Sequence, residues 1–521
     1  MALWQLSATT LSSMLSRGET SSREVLLAHL DRIGKCDGRI HAFTEVLKER
    51  ALEEADASDA RRRRGEARGP LDGLPVTFKE CFDVEGRATT LGLPSWRNRT
   101  ATRDAALVTL LREAGAVVVG RTNLSQTMLF AESSNPVYGR TNNPWSMAHT
   151  PGGSSGGEGA AIAAGMSPLG FGTDIGGSIR TPCHFSGICG IKPTLDRLPM
   201  LGYRAVLVGQ EAVRGMGGPM ARTVGDLSLA LGALDPARMT ALDSRVPPVP
   251  WQGPETVRLE GLTVGRYDDD GVLPPSKAIV RALDRAEQAL EARGCTVRRF
   301  ALPDVRALMA SYLGALSADD GAAMFAALEG GEVDPVLEPM RQFGALPLPM
   351  RKLAATAART FGQENMGFML GTMGAKSAAE LWRLTDRLRT YRLDLLSAME
   401  KAGVDALLGP VMATPAFPHG GSKNFTLASS YTIVFNATQM PAGVVPVTRV
   451  RRDETTRAGS RDSVVRRAVR IDAQSEGLPV GVQVATRPWK DHVTLAVMAA
   501  IEAEVSHDFG FPATPVPLDA P

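Results

Sequence analysis

The chain has 521 residues, 44% of them hydrophobic, and its 58 Lys and Arg against 56 Asp and Glu leave a net charge of +2. Such a length allows a large buried core, and the near balance of charge excludes a whole-molecule field directed at nucleic acid or anionic lipid. Five scattered cysteines, an odd number, argue against a disulfide framework, while residues 1–30 lack the pattern of a signal peptide and no apolar run reaches the roughly 18 residues of a membrane span; the expectation is a cytoplasmic protein without a transmembrane helix.

In chain order, Ser and Thr residues near position 7 precede apolar residues at helical spacing (Val25, Leu26, His29, Leu30, Ile33), predicting one or two helices up to about residue 35. A further helix is predicted over 46–57. The four arginines at 61–64 read as a solvated helix end rather than a nucleic-acid contact. A Gly and Pro turn at 73–75 then introduces a short apolar strand ending at Lys79. Residues 104–115 predict a helix and 116–119 a buried strand. The alternation continues through 160–164 and 169–172, which favours an α/β fold around a mixed sheet.

Residues 240–374 change character, with helical pieces broken by Pro and Gly, and are predicted to form a variable cap. Within them Met350, Leu353, Ala357 and Phe361 share one helical face beside Arg351, Lys352 and Arg359; the reading is a helix covering the core, the alternative a lipid-facing patch. Strands return at 406–410, 444–450 and 478–484, and the charged stretch 451–470 reads as an exposed loop or helix. The division expected is N-terminal helices over 1–65, a main domain over 66–505 that contains the cap, and a tail over 506–521.

Two segments gather glycines around serines: Pro-Gly-Gly-Ser-Ser-Gly-Gly-Glu-Gly at 151–159 and Gly-Thr-Asp-Ile-Gly-Gly-Ser-Ile-Arg at 172–180. Successive glycines let several backbone N–H groups turn toward one point, the geometry that an oxyanion hole in acyl transfer requires. Ile175, Gly176, Gly177 and Ser178 are placed to supply those donors, and Ser178 would hold its hydroxyl beside them. Neither His149 nor His184 sits in a triad pattern. Lys79 is the other candidate base, because burial lowers a lysine pKa and leaves a neutral amine able to accept a proton. HExxH and paired CxxC patterns are missing, so neither a metal nor an organic cofactor is implied.

A Lys ending a strand, a Gly-Gly-Ser-Ser-Gly-Gly loop and Gly-Thr-Asp-x-Gly-Gly-Ser-x-Arg, in that order, resemble the amidase signature family, and the likeness continues through Pro182 and Cys-Gly-Ile-Lys-Pro-Thr at 189–194. The resemblance implies an α/β amidase signature fold, a large twisted mixed sheet flanked by helices with a variable helical cap. It implies hydrolysis of carboxylic amides through an acyl-enzyme, with Ser178 as nucleophile, Ser154 as a bridging serine held by a cis peptide, and Lys79 as base. Ser155 and Asp174 would support the loops, Arg180 would anchor the turn, and Met128, Gly152 and Gly153 would border the substrate. A homodimer is expected.

A narrower likeness is to the fatty acid amide hydrolases, through Lys79-Glu80-Cys81-Phe82 and the stretches 134–136, 143–145, 156–160, 441–447 and 477–480. Two departures stand out: the membrane-spanning N-terminal helix of the animal members is absent, and their strongly apolar cap is replaced by a milder segment at 346–373. The expected partner is therefore a small-molecule or lipid amide, with peripheral membrane contact and no nucleic acid. Three other readings compete: an α/β-hydrolase, since 152–156 fits G-x-S-x-G and would demand a downstream His; an amidotransferase subunit that takes ammonia from glutamine for charged transfer RNA; and a catalytically silent scaffold of the same fold.

Overall fold

Strands that are apolar on both faces need cover on both sides, and the central strands of this chain are of that kind. In the computed structural model, which describes residues 2–518, the strands in chain order are β1 (Phe43–Val46), β2 (Pro75–Lys79), β3 (Val117–Thr122), a separate two-residue pair β4 (Ser134–Asn135) and β5 (Gly139–Arg140), β6 (Leu169–Asp174), β7 (Cys189–Lys192), β8 (Met216–Ala221), β9 (Thr263–Arg266), β10 (Thr296–Arg299), β11 (Ala406–Pro410), β12 (Ala442–Arg449) and β13 (Pro479–Thr486). Eleven of them form one sheet in the order β1-β3-β2-β6-β8-β7-β12-β13-β11-β9-β10. β2 runs parallel to β3 and β6, the strands from β6 to β11 alternate in direction, and parallel pairing returns at β11-β9-β10.

Alternation along the strands sorts the core into two layers. Val445 and Val447 of β12 pack with Leu227, Ala282 and Leu495, whereas Ala442 and Val444 pack with Ile179, Cys183 and Phe185. Helices Val224–Gly232, Lys277–Ala292 and Asp491–Val505 cover the first side, and Arg180–Ser186 and Ser430–Ala437 the second. The N-terminal helices are Ala8–Arg17 and Ser22–Ile40; the second starts with a reciprocal cap between Ser21 and Glu24.

Several expectations need correction. The helix predicted over 46–57 is Lys48–Arg63, preceded by the edge strand β1. Residues 240–374 are not all cap: β9, β10 and helix Lys277–Ala292 extend the sheet, and the helices that stand off it begin at Val305. Within the cap, the helix Leu348–Thr360 turns the other way from the reading above, since Met350, Leu353 and Phe361 are exposed and Arg351 and Ala355 are buried. The physical reason is that Arg351 finds a carboxylate and two carbonyls inside, so an arginine occupies the inner face and the apolar residues the outer one. The tail is described only to Leu518; residues 519–521, like Met1, lie outside the described residues. No helix among the described residues is long and apolar enough to cross a membrane.

Candidate active site

Because β2 and β6 are parallel neighbours, their carboxyl ends open at the same edge of the sheet, where ligands of α/β sheets commonly bind. Lys79 ends β2, and Thr173 and Asp174 end β6. The Lys79 side chain is fully buried and donates from Nζ to Ser154 Oγ at 2.7 Å and to Thr173 Oγ1 at 2.9 Å. Burial pulls its pKa down to about 8, with Cys81, Asp174, Glu158 and Glu80 pulling the other way.

Ser154 follows a cis peptide bond with Gly153, on the loop that leads into helix Gly156–Ala163. Only glycine fits at 153, since a Cβ there would lie 2.5 Å from the backbone N of Glu132. Ser155 ties this loop to the next: its N–H donates to the carbonyl of Ser178 at 3.2 Å, and its hydroxyl bonds to the backbone of Thr173.

The turn 174–180 is built on Asp174. Its carboxylate accepts N–H groups from Gly177 (2.7 Å) and Ile179 (3.1 Å) and two bonds from the Arg180 guanidinium (2.9 and 3.0 Å). Burial alone would raise the Asp174 pKa, but Arg180, Asn436 and the Gly177 N–H outweigh it and hold the group well below the usual carboxylate range. Arg180, fully buried, also donates to Thr432 O, Gln483 Oε1 and Asn436 Oδ1. Tyr312 donates to the carbonyl of Ile175, and Thr432 Oγ1 to that of Gly176 at 2.8 Å. Of the four backbone donors named from the sequence, the one on Gly177 is therefore given to Asp174 in this resting arrangement.

Ser154, Thr173 and Ser178 open onto a cavity of about 490 Å³ that runs past Tyr203 toward Asp243 and Arg245. On its other side Ser178 borders a smaller cavity of about 110 Å³, with Gly153, Ile175, Phe417 and Phe425 in its wall beside Thr181, Ser422 and Ser429. That cavity adjoins a third, of about 130 Å³, through Leu129, Leu313, Leu316 and Thr426. Met128 lines the two cavities that meet at Ser178; it and Thr127 hold left-handed φ values of 63° and 62°. Gly152 is not among the residues that line these cavities; it has φ 89°, and a Cβ there would lie 3.0 Å from the Pro182 backbone.

His184 is engaged elsewhere, with the Gly481 N–H and the Thr414 carbonyl, and His149 with Ser146, so Ser154 has a lysine and not a histidine for a neighbour. Glu158, from the first glycine-rich motif, was given no role by sequence reasoning. It is buried, accepts from Thr77 Oγ1 and Thr122 Oγ1, and burial pushes its pKa up to about 8, which favours the uncharged form at neutral pH. Thr173 was also missed, although it stands inside the second motif. Tyr312, Asn436 and Gln483 come from distant stretches that carry no local signal.

A model of the family described as Amidase matches residues 24–495. The chain belongs to the amidase family. This amidase is 37% identical over 494 residues to fatty-acid amide hydrolase 1 of Sus scrofa, across 93% of this chain and 83% of that protein. It is 34% identical over 452 residues to a subunit of the glutamyl-tRNA(Gln) amidotransferase of Chromohalobacter salexigens, across 84% of this chain and 89% of that protein. A solved structure described as fatty acid amide hydrolase superposes with a TM-score of 0.83 at 27% identity, covering 97% of this chain and 86% of that one. The fold is the mixed α/β amidase signature fold, and the chain is an amide-hydrolysing enzyme.

Proposed function

We propose that this amidase hydrolyses lipid-like carboxamides through an acyl-enzyme on Ser178. Neutral Lys79 takes a proton from Ser154, which takes one from Ser178, and the freed oxygen attacks the carbonyl carbon. The N–H groups of Ile175, Gly176 and Ser178 receive the developing oxyanion, with that of Gly177 available if it swings from Asp174. Collapse breaks the C–N bond as Ser154 gives a proton to the departing amine and regains one from Lys79, which is neutral again; such help is typically worth about 10² to 10⁴ in rate. Water then cleaves the ester on Ser178 and releases the acid.

The observation that carries this reading is the buried Lys79 Nζ at 2.7 Å from Ser154 Oγ, with Ser154 and Ser178 open to one cavity. Orientation follows from the proton. Ser154 borders the larger cavity, so the leaving nitrogen points there and the acyl chain enters the two smaller ones, the outer of which is lined mainly by leucine, methionine and phenylalanine. An apolar acyl site suits a fatty amide better than glutamine, whose short polar side chain would leave it unfilled, and this favours hydrolysis over the amidotransferase reading. A fluorophosphonate probe should label the wild type and not Ser178→Ala. Amides from acetyl to long-chain acyl, on arylamine and ethanolamine leaving groups, test the substrate class: a preference for short or aromatic acyl groups overturns the lipid-amide assignment and leaves the amidase.

The exposed Met350, Leu353, Phe361 and Trp382 support peripheral contact with membranes, from which such substrates would come. A homodimer rests on family resemblance, and light scattering of the purified protein tests it.

A further inference from the structure

The third cavity is lined by leucine, methionine and phenylalanine, and the charged residues in its wall are two, Asp320 and Arg351. They are bonded to each other. Arg351 donates from Nη1 to Asp320 Oδ1 and from Nη2 to Oδ2 at 3.1 Å, while its Nε reaches the carbonyl of Leu346 at 2.6 Å and Nη2 that of Gly344. Arg351 is 5% exposed; the carboxylate of Asp320 is 37% exposed and also accepts the N–H of Ala375. The pair thus fastens three strips of the cap, at 320, 344–351 and 374–375. Neither residue borders the two cavities that meet at Ser178; Leu129, Leu313, Leu316 and Thr426 form the junction with the smaller of these, and Leu129 and Leu207 also border the larger one. Beyond it, Met350 and Leu353 on the same helix face solvent.

We propose that the Asp320–Arg351 pair is the end stop of the acyl site and sets the longest chain this amidase accepts. The inference rests on the reading that the acyl half of the substrate occupies the two smaller cavities. Each methylene buried on the way adds about fourfold to binding. A methyl group that reaches the pair offers no hydrogen bond to a guanidinium that already makes four bonds inside the protein, or to the carboxylate beside it. Parting the carboxylate from Arg351, or stripping water from it, costs more than the about fourfold that one further methylene returns. Chain length is therefore cut off by charge rather than by bulk, and the cut-off is sharp.

The test uses full-length protein and amides of one amine with even acyl chains from acetyl to octadecanoyl. For the wild type, kcat/KM should climb about fourfold per methylene and then break. Asp320→Leu combined with Arg351→Met replaces the pair by apolar groups; in protein whose thermal melt shows the fold kept, the break should move outward by two carbons or more. A break at the same length in both proteins overturns the end stop. A second measurement needs no variant. At the break length, a hydroxyl on the terminal carbon meets polar partners and should cost the wild type less than about threefold, whereas a mid-chain hydroxyl buried against leucines should cost about tenfold or more. Equal penalties at the two positions overturn the proposal. Wild-type rates that do not change with chain length overturn the acyl-site reading itself, and acetyl amide turnover without that climb would still identify an amidase.

Discussion

Lys79 carries a free-energy cost that its chemistry makes useful. Its pKa of about 8, set mainly by burial, leaves about one amine in ten neutral at pH 7 and nine in ten at pH 9, so we predict that kcat/KM rises about tenfold between those values, followed with an amide whose own ionisation is constant. The sign of the stability effect follows from the same shift. The unfolded chain keeps this proton up to about 10.5, so between about pH 8 and 10.5 it binds more protons than the native state and the Lys79 contribution to stability grows with pH. Lys79→Met should abolish amide turnover yet raise stability at pH 7 by about 1 to 2 kcal/mol, after allowing for the partners lost by Ser154 and Thr173; denaturant melts at pH 7 and pH 10 measure it. Asp174 is the opposite case. Its folded pKa is depressed, so its contribution is present at neutral pH and is lost as pH falls below the ordinary carboxylate range. Asp174→Asn leaves the Arg180 cation buried without its carboxylate, and a loss of about 3 to 5 kcal/mol is expected in urea melts, with no active enzyme recovered at pH 7.

At the scale of elements, the serine turn is fastened from two helices that the glycine motifs do not mention. Helix Val305–Leu316 presents Tyr312 to the carbonyl of Ile175, and helix Ser430–Ala437 presents Thr432 to that of Gly176. Tyr312→Phe removes one such bond; a stability loss of about 1 kcal/mol and a several-fold fall in kcat with little change in KM are expected from melts and steady-state kinetics. Gly177 has φ 119°, and a Cβ there would sit 2.5 Å from Thr432 Oγ1. Gly177→Ala should cost about 1 to 3 kcal/mol and at least about tenfold in kcat, read in the same assays. These contacts explain what was legible at this scale. The strands at 75–79, 406–410 and 479–486 announce themselves as apolar runs. β8, Met-Gly-Gly-Pro-Met-Ala, does not, because its residues are poor strand formers; it is a strand since Gly218 lets the Ile191 carbonyl come where a Cβ would be 2.1 Å away.

For the whole molecule, the cap decides how the site meets its surroundings. Its outer side exposes Met350, Leu353 and Phe361, at 54%, 71% and 79%, large apolar side chains for which a contact role is expected. Leu353→Glu with Phe361→Glu should reduce binding to phosphatidylcholine vesicles in a flotation assay at least about fivefold and leave hydrolysis of an acetyl amide unchanged. The side from which that helix is read shows where a sequence stops being informative. Periodicity finds two candidate faces, and hydrophobicity picks the apolar one as inward; the ion pair with Asp320, 31 residues earlier, turns the arginine inward instead. The order Lys79, Ser154, Ser178 and the glycines beside the serines are properties of local chain chemistry, since a tight turn with converging N–H groups needs those residues wherever it is folded. So the sequence by itself determined the α/β class, the family likeness and the group of residues to watch. Tertiary structure alone decided that Lys79 is dry, that Asn436 and Gln483 hold Arg180 from more than 250 residues away, and that the Asp320–Arg351 pair stands in the wall of a cavity otherwise lined by uncharged residues. Burial and long-range hydrogen bonding depend on which surfaces meet, and no local pattern records that.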